Sequence, residues 1–236
     1  MNIVNVISEL KIIKGNIFTS SSQVLVNTVN CVGVMGAGIA LEFRLRYPSM
    51  YKQYAELCKQ RKINIGNLWM YKSEKKWILN FPTKIHWKYP SKESYLHEGL
   101  KYFVENFKEL GIESIAFPLL GSQKGGLNPK QSLNIMTSYL SDLTIPIEIF
   151  EYDSKASDDI YLKFKLEFSK MNDQDLALQS GLRSNYLTLI RNALNDPNIC
   201  QLNQLAKIPG IGDKTLEKAF AFTTKEKKNI QSGFDY

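Results

Sequence analysis

Between Leu10 and Tyr152, short β-prone runs alternate with amphipathic segments of helical period, and this alternation restricts the fold of the 236-residue chain more than any other feature. Residues 10–14, 24–27, 69–71, 77–81, 115–120 and 145–152 read as strands. Residues 35–46, 48–61, 94–110 and 129–143 read as helices. Pro48 suits a first helical position, and Gly111 suits a C-cap after Leu96, Leu100, Phe103, Val104, Phe107 and Leu110. Strands interleaved with helices predict an α/β domain, a largely parallel sheet covered on both faces. Residues 153–159 are polar and turn-rich, and no strong β run follows them. The expected division is therefore an α/β domain over 1–155 and a small all-α domain over 156–236. The charged end from about Lys225 is expected to fray.

Hydrophobic residues make up 44% of the chain, enough for a core, yet no run reaches membrane-span length. No basic–apolar leader opens the chain, so a cytosolic, membrane-free protein is expected. Cys31, Cys58 and Cys200 are odd in number and scattered, which fits reduced thiols. With His86 and His97 the only histidines, no metal site is expected. The net charge of +7 is uneven: residues 1–155 hold 19 Lys and Arg against 13 Asp and Glu, and residues 156–236 hold 11 against 10. That excess suits polyanionic partners, although solubility explains it equally well.

Two glycine-rich junctions carry the chemistry. In the first, a strand ends in Asn27, Asn30 follows, and Gly33, Gly36 and Gly38 precede a helix. Glycines there let backbone N–H groups approach an anion, and the helix N-terminus adds partial positive charge. Asn27 and Asn30 can hold a ribose by hydrogen bonds; the plain alternative is local capping of the loop. In the second junction, residues 118–129, Gly121, Gly125 and Gly126 again lie between strand and helix, with Ser122 as a donor. Two loops at the carboxyl ends of parallel strands can clamp a diphosphate from both sides.

These segments resemble the macrodomain family: 14–17, Asn27 with Asn30, 33–40, and Pro118 with Gly121, Gly125 and Gly126, in order across residues 8–152. Within that family, residues 80–87 are most similar to the DarG-type antitoxin macrodomains, which reverse ADP-ribosylation of DNA. The resemblance implies a three-layer α/β/α fold with a mixed sheet and an ADP-ribose cleft, ADP-ribose being ligand and product with no other cofactor. It places Asn16 where many members have an adenine-contacting Asp, with Ile17 beside it. Gly33, Met35, Gly36, Gly38, Ile39 and Ala40 line one side of the ligand. Leu119, Gly121, Ser122, Gly125, Gly126 and Leu127 line the other. A related protein-ester hydrolase carries a carboxylate in this second loop; none stands here, which tilts the substrate toward a nucleobase linkage.

The resemblance also makes Lys84 the catalytic residue; by itself it reads as a solvated lysine. Desolvation by Phe81 or Trp87 favours a neutral, nucleophilic amine, and a charged Lys84 can instead protonate the leaving group. Around it, lysines interleave with aromatics from Trp69 to Lys92. Trp69, Trp77 and Phe81 suit a strand core. Trp87, Lys88 and His86, with Tyr89, suit a DNA strand, where aromatic faces stack on bases for about 1–3 kcal/mol each.

Residues 202–220 resemble a helix–hairpin–helix, with Gly210 and Gly212 in the hairpin and Lys214 beside a helix N-terminus that can take a DNA phosphate. A packing or partner surface is the alternative. The expected function is removal of ADP-ribose from DNA, with ADP-ribosylated single-stranded DNA as the expected carrier and a DNA ADP-ribosyltransferase toxin as the expected partner. The alternatives are hydrolysis of ADP-ribosylated protein or O-acetyl-ADP-ribose, and a non-catalytic ADP-ribose- or DNA-binding antitoxin module.

Overall fold

A computed structural model describes residues 9–224; the charged end expected to fray lies outside the described residues. Two units divide the chain after Asp159. The expected boundary stood at 155, and the difference has a physical cause. Nearly buried Arg46 binds Glu42 at 2.7 Å, Asp158 at 2.9 Å and Asp159 at 2.8 Å, which ties the polar segment to the first unit.

The first unit is built from β1 (Leu10–Gly15), β2 (Val24–Asn30), α1 (Gly38–Arg46), α2 (Pro48–Lys59), β3 (Trp69–Lys72), β4 (Trp77–Lys84), α3 (Glu93–Asn106), β5 (Ile115–Pro118), α4 (Pro129–Leu140) and β6 (Ile147–Tyr152). The strands form one sheet in the order β1-β6-β5-β2-β4-β3. All neighbours run parallel except β3 against β4, so the sheet is mixed. Alternate strand residues face opposite layers, as the pleat requires. Val24, Val26, Leu79 and Phe81 pack with Leu96, Leu100 and Phe103 of α3 and Met136 and Leu140 of α4. Leu25, Val29 and Ile78 pack on the other face with Phe43 of α1 and Met50, Tyr54 and Cys58 of α2.

Two local expectations change. The strand expected over 77–81 continues as β4 to Lys84. Pro82 lies beyond Asn80, the last residue paired with β3, and beside a bulge where Asn30 pairs with Lys84; such places tolerate a residue without an N–H. The helix expected from Met35 starts at Gly38, because Asn30 holds the preceding residues in a turn.

The second unit is all-helical: α5 (Tyr161–Lys170), α6 (Asp173–Ser180), α7 (Ser184–Leu194), a 3-10 turn over Leu202–Lys207 and α8 (Asp213–Thr224). Phe164, Phe168, Leu176, Leu187, Ile190, Leu205 and Phe220 are buried in it. Among the described residues, no helix is long and apolar enough to cross a membrane, and no group of three His, Cys, Asp or Glu can hold a metal ion.

Candidate functional site

The strand order places a crevice at the carboxyl edge of the sheet. Strands β2 and β5 are neighbours, but the chain leaves β2 toward β4 and leaves β5 toward β6. Loops diverging from adjacent parallel strands open a gap between them, which is where open α/β sheets take ligands. Both glycine-rich junctions flank this gap, and Lys84 ends β4 opposite Asn30.

The first loop is held from within. Asn30 Oδ1 accepts the Val32 and Val34 N–H groups at 3.0 and 3.3 Å, and its Nδ2 donates to Val34 O at 2.5 Å. The Tyr54 hydroxyl donates to Asn30 O at 2.5 Å. Gly33 (φ +80°) closes the turn against α2, where an added Cβ would lie 3.4 Å from Ala55 Cα. The loop then delivers exposed Gly36 and Gly38 to the start of α1, which has no side-chain N-cap. Its first N–H groups are therefore open to an anion.

The second loop is tighter. Gly121 (φ +64°) accepts the Leu127 N–H at 3.0 Å, and the Gly125 N–H donates to Ser122 O at 2.8 Å. The Ser122 hydroxyl donates to Leu119 O at 2.7 Å, so it serves the loop itself. The Gly125 carbonyl accepts the Ser91 N–H, and an added Cβ at Gly125 would stand 2.8 Å from Ser91 Oγ. Gly125→Ala is expected to displace the loop and weaken ligand binding about tenfold, in line with the cost of overpacking. Ser91→Ala in the same chain removes the clash. Calorimetry that shows equal loss in the single and double variants discards this explanation.

Lys84 reaches across the gap: its ammonium donates to the carbonyl of Lys124 in the second loop. Partial burial disfavours the charged form and lowers its pKa. Phe81 does not wall it, because that ring is fully buried against α3. Trp87 is half exposed, its ring 5.4 Å from His86, with Lys88 Nζ 5.3 Å above it; Tyr89 is more exposed still.

Several expected contacts lie beneath the cleft surface. Asn27 is fully buried and its Nδ2 donates to Asn80 at 2.9 Å, so it belongs to a polar pair inside the sheet. Met35 is core, packed under the first loop. Asn16, also buried, accepts the Phe18 N–H at 3.1 Å, and Ile17 is buried beside it. The buried Asn16 Nδ2, Asn27 Oδ1 and Ser91 Oγ have no partner, an arrangement that a polar ligand or water relieves. Ile39, Ala40, Leu119 and Leu127 are half-buried at the loop bases, and Gly126 is exposed with φ +84°.

The lysine–aromatic run does not make one surface. Lys72 lies 3.7 Å over Trp77 and Lys76 binds the Ser22 carbonyl, both at the amino end of β4. Lys84, Lys88 and Lys92 follow at its other end, about 23 Å away for an extended strand. Sequence reading missed Asn80, Tyr54, Ser91 and Lys124. Lys124 carried a legible signal, being the one charged residue within 119–128.

In the second unit, the hairpin turns at Gly210 (φ +89°), with the Ile211 N–H on Ile208 O at 3.0 Å. Its first arm is a 3-10 turn, where an α-helix was expected. Nothing lies within 4 Å of an added Cβ at Gly212, and Lys214 is exposed on α8.

Comparison with known proteins agrees with this architecture. Residues 26–136 match the profile of the family described as Macro domain. A Thermus aquaticus protein named DNA ADP-ribosyl glycohydrolase is 43% identical over 122 residues, covering 50% of this chain and 34% of its own. The chain thus spans about a third of the length of the curated relatives it matches. The solved DarTG of Thermosipho africanus in complex with ADP-ribose is 35% identical with TM-score 0.59, over 63% of this chain and 42% of that one. The solved macrodomain of Mycobacterium tuberculosis DarG is 38% identical with TM-score 0.59, over 61% of this chain and 97% of that one. With that domain matched nearly end to end, and the mixed six-stranded sheet and paired glycine loops in place, the chain belongs to the macrodomain family.

Proposed function

We propose that this protein binds ADP-ribose between its two glycine-rich loops and hydrolyses the bond joining ADP-ribose to a DNA base. The observation that carries the reading is the position of Lys84, an amine with a lowered pKa spanning the gap from β4 to the second loop. The diphosphate lies against the open start of α1 and the backbone of Gly121, Gly125 and Gly126. Lys84 acts at the anomeric carbon of the distal ribose. Its neutral amine adds to that carbon in the ring-opened sugar, and the base nitrogen leaves with a proton. Water then resolves the imine to free lysine and ADP-ribose. The relatives' names, DNA ADP-ribosyl glycohydrolase and, in Thermosipho africanus, a DNA ADP-ribosyl transferase-DNA ADP-ribosyl glycohydrolase fusion protein, favour DNA as the carrier and a role opposite a DNA ADP-ribosyltransferase. Neither loop contains a carboxylate, which disfavours the protein-ester reading.

The strand bearing the modified base runs over Trp87, His86 and Lys88: the exposed Trp87 ring suits an unpaired base, with half-buried His86 beside it and the exposed Lys88 ammonium for a phosphate. In the second unit, Gly210, Gly212 and Lys214 add sequence-independent phosphate contacts through the start of α8. The deciding experiment incubates wild-type protein with an ADP-ribosylated single-stranded oligonucleotide and a duplex. Release of ADP-ribose is expected, faster from the single strand. Persistence of the modification despite ADP-ribose binding makes the chain a binding module. Trp87→Ala is expected to raise KM for the oligonucleotide about tenfold, the loss of one stacked base, and to leave ADP-ribose affinity unchanged. An unaltered KM removes the platform.

A further inference from the structure

We propose that Lys124 is a second cation of the cleft, whose ammonium grips the ligand's diphosphate from the second loop. This rests on the diphosphate reading given above. Two positive poles, Lys124 and the start of α1, meet beside Lys84. The Lys84 ammonium donates to the Lys124 carbonyl. The Lys124 Cγ stands 3.4 Å from where a Cβ on Gly38 would be, so its stem lies over the first residue of α1. That helix opens with no side-chain cap and no acidic residue in its first turn.

Neither loop offsets this charge. Residues 31–40 and 119–128 contain no Asp or Glu, and among the described residues Lys124 makes no ion pair. A cation beside a helix N-terminus repels the dipole. An anion between them turns that repulsion into attraction, and a diphosphate held by two loops is such an anion. The loop also presents the residue: Gln123 (φ +47°) and Gly126 (φ +84°) are both left-handed, and the glycines at 125 and 126 leave no side chain to cover Lys124. Lysine suits the task as a point charge on a flexible stem that follows the phosphates as they enter.

Calorimetry across a salt series tests this with ADP-ribose, inorganic pyrophosphate and adenosine. Lys124→Ala is expected to weaken ADP-ribose and pyrophosphate about tenfold at low salt, the loss of one charge-assisted contact. It should flatten the salt dependence of ADP-ribose binding, leave adenosine affinity unchanged and not lower the unliganded Tm. Lys124→Arg should restore affinity to within about threefold, since it keeps the charge. ADP-ribose affinity within twofold of wild type in Lys124→Ala overturns the proposal, as does an equal loss for adenosine, which marks a structural role. If wild-type protein binds pyrophosphate through Lys124 but not ADP-ribose, the anion grip stands and the ADP-ribose reading falls.

Discussion

Lys84→Ala is expected to slow release of ADP-ribose from DNA at least about a thousandfold, on the order of 4 kcal/mol of transition-state stabilisation, while ADP-ribose affinity changes less than about threefold. The split follows from position. Lys84 sits at the end of β4 with its ammonium on the Lys124 carbonyl, whereas the backbone of the two loops makes the diphosphate seat. Removing the amine leaves the seat in place. Single-turnover kinetics with the modified oligonucleotide, beside calorimetry with ADP-ribose, checks both halves; turnover equal to wild type discards the assigned role.

The pH profile tests the neutral-amine mechanism of Lys84 against acid catalysis by its ammonium. Desolvation lowers its pKa from the usual 10.5. If the neutral amine attacks, kcat/KM climbs with pH and levels off above an inflection below 10.5, and borohydride traps a covalent adduct. If the ammonium acts as acid, kcat/KM falls through the same inflection and no adduct forms.

Gly99→Ala is expected to destabilise the first unit by about 3 kcal/mol, at the upper end of ordinary overpacking. An added Cβ would stand 2.2 Å from Phe81 Cζ and 2.4 Å from its Cε1. Phe81 is fully buried between the sheet and α3, so the ring has no open side to retreat to. Since β4 carries Lys84, the strain reaches the site as well. Denaturant unfolding measures the loss. Phe81→Leu in the same chain should recover part of it, and a Gly99→Ala protein as stable as wild type refutes the packing argument.

Much of the fold was legible from local pattern. The strands beginning at Leu10, Val24, Trp69, Trp77 and Ile115 start where β-prone residues begin, and α2 starts at Pro48, whose missing N–H is no loss there. The glycine junctions were legible because positive φ at Gly33, Gly38, Gly121 and Gly126 needs residues without a Cβ. The roles of the side chains between them were less so. Asn30 is read from sequence as a ribose ligand or a cap of its own loop, and in the described structure its amide is engaged with that loop; Asn27 and Met35 lie under the surface. Sequence spacing locates a loop but does not tell which side chains point into it.

By itself, then, the order of residues determined periodicity, turn chemistry and the two places where backbone can meet an anion, since each depends on neighbours a few positions apart. Only the tertiary structure decided that β2 lies between β4 and β5, that Lys84 ends beside Asn30 and touches the loop bearing Lys124, and that Lys72 and Lys76 lie at the far end of that strand. Those relations join segments distant along the chain, and the sheet's pairing order and packing on two faces set them. No local pattern encodes that order.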